Sequence, residues 1–368
     1  MITSSKDLRA LMERARAKDA VALDTEFVWN RTYYPRLGLI QLALSDEECY
    51  LIDPLVIDDL APFGELLADR RTIKILHDAP QDLAILYKAT GYVPKNIFDT
   101  RLAAGFACLP ASLSLGNLIE ELLDIKLEKT ATLTNWLKRP LDEEQIQYAL
   151  DDVRYLRAAR VIIINRIIGP EIKAWLQEEL DLLNSPKNYN GLTENNRYKK
   201  IRGAKSLDRQ GLAILRELVI RRERIACKIN RPRGHVVKDS ILIDISKSRP
   251  LHLEQLFEST ALSAKVIDRW GSQLIAAVHA GLACPENEQP ELERTVRLNK
   301  KNTQMLERLH EFIQLKSRVQ GIDPALIGNS SELKKLVKIL SKSSKSEMVR
   351  QMDGWRNSFL NDFFRYAT

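Results

Sequence analysis

The feature that most restricts the fold is VALDTEFV, residues 21–28, in which Asp24 and Glu26 stand two apart in an otherwise apolar run. Such a run reads as a strand, and because side chains alternate across a strand both carboxylates fall on one face. Burying two like charges side by side costs on the order of several kcal/mol per ion unless a cation or an open cleft compensates. A divalent metal is one remedy; an exposed strand end at which Asp24 merely caps a turn is the bland alternative. Two more strand-like runs follow, LGLIQLAL at 37–44 and CYLI at 49–52, and the polar stretch between them is short enough to make an antiparallel hairpin. A helical stretch at 58–68, the strand IKIL at 73–76 and a helix at 80–90 then complete an α/β pattern with a mixed sheet. Further helices are predicted at 100–107, 115–123 and 143–168, the last opening after Asp142 as N-cap, and the first domain ends near residue 183.

Beyond it the composition changes. Residues 184–206 are polar, basic and turn-rich, which suits a linker or a surface-hugging segment. Helical periods dominate from 207 onward with a polar break at 286–290, so two small helical domains are expected, at 207–288 and 289–368. The formal charge of +7 hides an asymmetry: residues 1–200 hold 26 Lys and Arg against 30 Asp and Glu, whereas 201–368 hold 30 against 19. A basic half is the footprint of a polyanion binder, although solvated helices have the same composition. The four cysteines lie far apart with no CxxC pair, which excludes a disulfide framework or a zinc knuckle and points to reduced thiols in a cytoplasm. The densest apolar run, 161–168, is broken by Asn165 and Arg166, far short of the roughly 20 residues that span a bilayer. The start reads as a Ser-capped amphipathic helix, not an export signal.

Two further segments carry carboxylates. In HDAPQDLAIL, Pro80 suits the first turn of a helix and Asp82 sits where the helix dipole favours negative charge, a placement that a plain helix-terminus charge also explains. His77, just before it, equally fits a core histidine. In EEQIQYALDDVRYL, Tyr148 and Asp152 are four apart and so share a helix face, and Asp151 beside them shows how readily an acidic residue occurs on a solvated helix.

Jointly, DTEFVWNRTYYPRLGLIQL, HDAPQDLAIL and YALDDVRYL resemble the three motifs of the DEDD exonuclease superfamily in its tyrosine-bearing branch, and the whole chain resembles the bacterial ribonuclease D family. The resemblance implies a ribonuclease H-like catalytic domain and a 3′→5′ exoribonuclease that trims tRNA precursors and other small structured RNAs. It assigns Asp24 and Glu26 to the first motif, Asp82 to the second, and Tyr148 with Asp152 to the third. By that pattern the four carboxylates hold two Mg²⁺ or Mn²⁺ ions, Asp24 bridging both, Glu26 and Asp152 completing one, and Asp82 acting partly through water. Both are hard cations suited to carboxylate and water ligands. Tyr148 would orient the attacking water. Residues 215–250, continuing to about 278, resemble a helicase-and-ribonuclease-D C-terminal (HRDC) domain, and 292–366 more loosely a second.

Around the acidic set, Phe27, Tyr33, Tyr34 and Gln41 are candidates to hold the terminal nucleotides, because aromatic rings stack on bases with little sequence preference. Ordinary packing is the competing explanation for each. Arg202, Lys205, Arg221, Arg222, Arg231 and Arg233 are the candidate phosphate contacts, in the stretch where basic residues are densest. A DNA exonuclease of the same superfamily is the alternative enzyme, since the metal chemistry does not require a 2′-hydroxyl. A non-catalytic RNA-binding adaptor is the alternative of another class, and the completeness of the five-residue set argues against it.

Overall fold

The computed structural model describes residues 1–128, 134–188, 194–292, 298–341 and 349–367. The chain forms two compact units: residues 1–27, 37–190 and 297–368 in one, and residues 28–36 with 191–296 in the other.

The first unit is built on a five-stranded sheet of order β3-β2-β1-β4-β5, with β1 at Ala20–Val28, β2 at Arg36–Ala43, β3 at Cys49–Ile52, β4 at Ile73–Leu76 and β5 at Ile97–Asp99. The expected hairpin is present, with β2 and β3 antiparallel in the register Ile40↔Ile52 to Ala43↔Cys49. β1 pairs with β4 and β4 with β5 in parallel, so the sheet is mixed. At only three residues, β5 is too short to show a period in the sequence.

α1 (Ser5–Arg16) starts at an N-cap Ser4 whose hydroxyl accepts from the Asp7 amide, as its sequence predicts. α2 (Ala61–Ala68) starts three residues later than its helical period, because Asp59 accepts from the Ala61 amide at 2.8 Å and fixes 58–60 as a turn. α3 (Pro80–Thr90) and α5 (Leu115–Leu123) fall where predicted, and α4 (Thr100–Gly105) ends two residues early. The single long helix expected at 143–168 is two: α6 (Glu143–Arg154) opens with a capping box between Asp142 and Gln145, and α7 (Leu156–Arg166) follows a break at Tyr155, φ −98°, ψ 0°. No glycine or proline announces that break.

Domain boundaries differ from the expected ones at the C-terminus. After α8 (Pro170–Leu182), the first unit is completed by α14 (Lys300–Gln320), α15 (Ser330–Ser341) and α16 (Gly354–Ala367). Leu306, Leu309 and Ile313 on α14 share one apolar core with the sheet, so residues 297–368 do not close a core of their own. Trp355 stacks on Trp175 and meets Phe106 edge-on, each with ring centroids 5.3 Å apart. Buried Glu179 accepts from Trp355 Nε1 at 2.7 Å and pairs with Arg350 at 2.5 Å and with Arg356. Asp323 accepts from the Ala111 amide at 2.6 Å while its own amide donates to the Gly105 carbonyl.

The second unit is helical: α9 (Arg209–Lys228), α10 (Arg233–Val236), α11 (Asp239–Ser248), α12 (Leu253–Ser259) and α13 (Ala264–Leu282). α9 and α13 approach closely at Gly281, where a Cβ would stand 2.4 Å from Ile214 Cα. Of the expected linker, Tyr198, Ile201 and Ala204 are buried in this unit's core, which makes that segment part of the domain.

Candidate active site

Asp24 and Glu26 lie in the second half of the inner strand β1, and they line a cleft of about 320 Å³ together with Thr25, Phe27, His77, Asp78, Gln81, Asp82, Leu115, Tyr148, Asp152 and Leu156. All five residues of the acidic and tyrosine set therefore meet in one cavity, carried there by β1, α3 and α6. The Thr25 hydroxyl donates to Asp82 Oδ1. Asp82 lies in the first turn of α3, whose entry is held by Asp99: its carboxylate accepts from the amides of Asp78 at 3.1 Å and Ala79 at 2.9 Å. The same group caps α4 through the Arg101 amide at 2.9 Å. Asp78, at φ 61°, lines the cleft and is ion-paired with Arg101, which is not among the lining residues.

Tyr148 and Asp152 stand four apart on α6 and both line the cleft. Behind Tyr148 stands the buried Trp136, with ring centroids 6.1 Å apart. Arg139 fixes that tryptophan's segment by donating to the Trp136 carbonyl at 3.0 Å and the Gly38 carbonyl at 2.7 Å, while pairing with buried Asp53. At Gly38 a Cβ would come within 2.6 Å of the Trp136 carbonyl oxygen, so only glycine admits this packing.

The electrostatics are those of a crowded anion. Burial, followed by the charges of Asp82, Asp152 and Glu26, raises the Asp24 carboxyl well above its ordinary range. Burial and the neighbouring Asp152 and Asp82 push Glu26 up to about 8. Burial raises Asp82 and Asp152 to about 7, against the opposing hydrogen bonds of Thr25 and Tyr148 respectively. The Tyr148 phenol is raised by burial and the carboxylates around it, so it stays neutral. No lysine or arginine lines the cleft among the described residues, leaving the repulsion uncompensated by the chain itself.

The free donors are carboxylate and hydroxyl oxygens, a set that fits a hard divalent cation. They line the cleft without being drawn into a closed ligand group among the described residues. His77 adds no ligand: its Nδ1 lies 3.0 Å from Thr100 Oγ1, its Nε2 lies 3.1 Å from the Leu113 carbonyl, and burial lowers it to about 4.

The candidate RNA contacts separate. Phe27 lines the cleft. Gln41 is a correction: β2 places it in the interior with no exposed surface, so it does not reach a nucleotide. Arg222 is a second correction, because its side chain is 3% exposed and committed to Asp239 at 2.5 Å and to the Val237 carbonyl at 3.1 Å. Periodicity missed this, since a charged residue inside a core is invisible until its partners are known. Arg202, Lys205 and Arg231 are exposed, and Arg221 and Arg233 half-buried. Tyr33 and Tyr34 belong to the second unit, where the Tyr33 hydroxyl donates to Glu223 at 2.9 Å and Tyr34 Oη lies 3.0 Å from Cys227 Sγ. Sequence reasoning overlooked Thr25, Gln81 and Asp99; an Asp immediately before a helix-starting threonine was the available signal for the last.

Comparison with known proteins gives matches over nearly the whole chain. The family described as 3′-5′ exonuclease matches residues 1–168, and the HRDC domain family matches residues 211–278. Ribonuclease D of Desulfotalea psychrophila is 53% identical, covering 99% of this chain and 97% of its own length. Ribonuclease D of Bartonella henselae is 33% identical over 97% of this chain and 86% of its own. The crystal structure of Escherichia coli RNase D, an exoribonuclease involved in structured RNA processing, superposes with a TM-score of 0.85 at 29% identity, covering 100% of this chain and 97% of that one.

Proposed function

Because the chain belongs to the ribonuclease D family, and is accordingly a 3′→5′ exoribonuclease, we propose that it cuts RNA in the cleft formed by Asp24, Glu26, Asp82, Tyr148 and Asp152 and releases nucleoside 5′-monophosphates. The observation that carries this reading is the convergence of these five side chains, from three elements far apart in sequence, on one cavity. In the reaction water oxygen bonds to phosphorus, the bond from phosphorus to the 3′ oxygen breaks, and that oxygen leaves with a proton on the shortened chain.

Asp24, Glu26, Asp82 and Asp152 would hold two divalent cations, Mg²⁺ or Mn²⁺. Bound there, the cations supply a nucleophile at neutral pH and stabilise charge on the phosphoryl oxygens. Tyr148, neutral and backed by Trp136, positions the attacking water through its hydroxyl. Phe27 stacks on the terminal base from the rim. The exposed Arg202, Lys205 and Arg231, with Arg221, contact backbone phosphates. The Escherichia coli relative's link to structured RNA supports 3′ trimming of tRNA precursors and similar small RNAs as the task. Free thiols at all four cysteines support a cytoplasmic setting, and no helix among the described residues is long and apolar enough to cross a membrane.

Hydrolysis of 5′-labelled single-stranded RNA, its DNA counterpart and a tRNA precursor carrying a 3′ trailer, with and without Mg²⁺, tests the whole reading. Stepwise shortening of RNA only with the cation is expected. Equal degradation of DNA would overturn the substrate assignment, and cation-independent cleavage would overturn the site.

A further inference from the structure

In the second unit, Glu223 has no exposed surface, yet it gathers three guanidiniums and a phenol. Arg197 Nε lies 3.4 Å from Oε2, Arg233 Nε 3.4 Å from Oε1, and Arg222 Nη2 3.5 Å from Oε1. Arg222 is buried and belongs also to Asp239, so two carboxylates face three guanidiniums and one positive charge remains in excess. Arg197 and Arg233 approach by the inner edge of the guanidinium and keep 27% and 38% of their side chains exposed. Each thus keeps part of its side chain within reach of solvent. Arg233 also lies over the Tyr33 ring at 5.8 Å, and Tyr33 meets the more exposed Tyr34 edge-on at 4.8 Å.

A structural lock would spend its donors on the carboxylate, whereas Glu223 Oε1 lacks a well-aligned hydrogen bond although guanidinium nitrogens stand 3.4 and 3.5 Å from it, so their N–H groups are not used up there. One carboxylate needs one cation, whereas here two part-exposed arginines are held beside the same buried group. Guanidinium forks match phosphate oxygens bidentately, and an exposed aromatic beside them offers a face to a base. We propose that Arg197 and Arg233, positioned by buried Glu223 and flanked by Tyr33 and Tyr34, form a binding site for a backbone phosphate of single-stranded RNA. The proposal rests on the exoribonuclease reading for the identity of its ligand; Glu223 is a positioning residue and does not touch the RNA.

The test uses the full chain carrying Asp24→Asn, so that RNA is bound and not consumed, with affinity for a single-stranded RNA followed by fluorescence anisotropy across a salt series. Arg197→Gln and Arg233→Gln should each weaken binding and reduce the slope of log affinity against log salt by about 0.7, the value for one phosphate contact on a single strand. The charge-keeping lysine variants should retain the slope. Glu223→Gln adds positive charge, so diffuse attraction would tighten binding, whereas loss of a built site weakens it. Unchanged affinity and slope in both glutamine variants, with only a lower melting temperature, would make the cluster structural and overturn the proposal. Absence of RNA binding by the Asp24→Asn parent would overturn the RNA reading with it.

Discussion

At Asp24, burial and three neighbouring carboxylates act in the same direction, and that fixes how the fold should answer to pH. Glu26 is raised to about 8 and Asp82 and Asp152 to about 7, whereas the same groups in an unfolded chain lose their protons near pH 4. A carboxyl that binds its proton more tightly when folded stabilises the fold fully below the unfolded value and loses that contribution as pH rises through the folded one. The cation-free protein should therefore lose thermal stability between about pH 4 and pH 8, Mg²⁺ should restore it at the upper end, and Asp24→Asn should flatten the profile while abolishing RNA degradation. Melting temperatures against pH in a chelator check this; a flat wild-type profile would remove the buried anionic cluster. Tyr148→Phe should keep the Mg²⁺ titration midpoint but lower turnover by roughly 10² to 10⁴, the range for losing a positioned proton-handling group. A shifted midpoint with unchanged saturated turnover would place the phenol in the metal shell.

At the scale of elements, the site depends on how helix ends are tied. Asp99 caps α4 and fixes the turn that begins α3, so one carboxylate sets where Asp82 stands. Asp99→Ala should cost about 1 to 2 kcal/mol, the upper range for a lost cap, and also weaken Mg²⁺ binding because α3 loses its anchor. Denaturant unfolding and metal titration on one variant measure both, and a stability loss with unaltered metal affinity would show that α3 is anchored by its core face alone. The break at Tyr155 belongs to this scale too: it ends α6 three residues after Asp152, and the continuous apolar period across 143–168 concealed it.

For the whole molecule, the C-terminal helices belong to the catalytic unit. Trp355 stacks against Trp175, and Glu179 pairs with Arg350 and Arg356, both far along the chain. Removing one partner of a buried pair typically costs about 3 to 5 kcal/mol, so Glu179→Ala should lower stability by that order and leave the cleft residues in place. Urea unfolding measures the loss; a change below about 1 kcal/mol would mean the pair is screened as surface pairs are. A chain ending near residue 290 should be insoluble or lack a cooperative transition, since it exposes Trp175, Phe106 and the core that α14 and α16 cover. A cooperatively melting truncated protein would count against that shared core.

The amino-acid sequence by itself determined the local features: alternation placed Asp24 with Glu26, the four-residue spacing placed Tyr148 with Asp152, and Pro80 with Asp142 marked where helices begin. These follow from backbone geometry, which acts over a few residues. Only the tertiary structure decided what depends on partners distant in the chain. It buried Gln41 and Arg222, which polarity alone had placed at the surface, and tied Tyr33 to Glu223. It also joined residues 297–368 to the unit that begins at residue 1. An apolar helical face has the same pattern whichever core it covers, and a charged side chain has the same identity whether it faces water or a buried counter-ion; the choice is made by long-range packing and desolvation, which a short window of sequence does not contain.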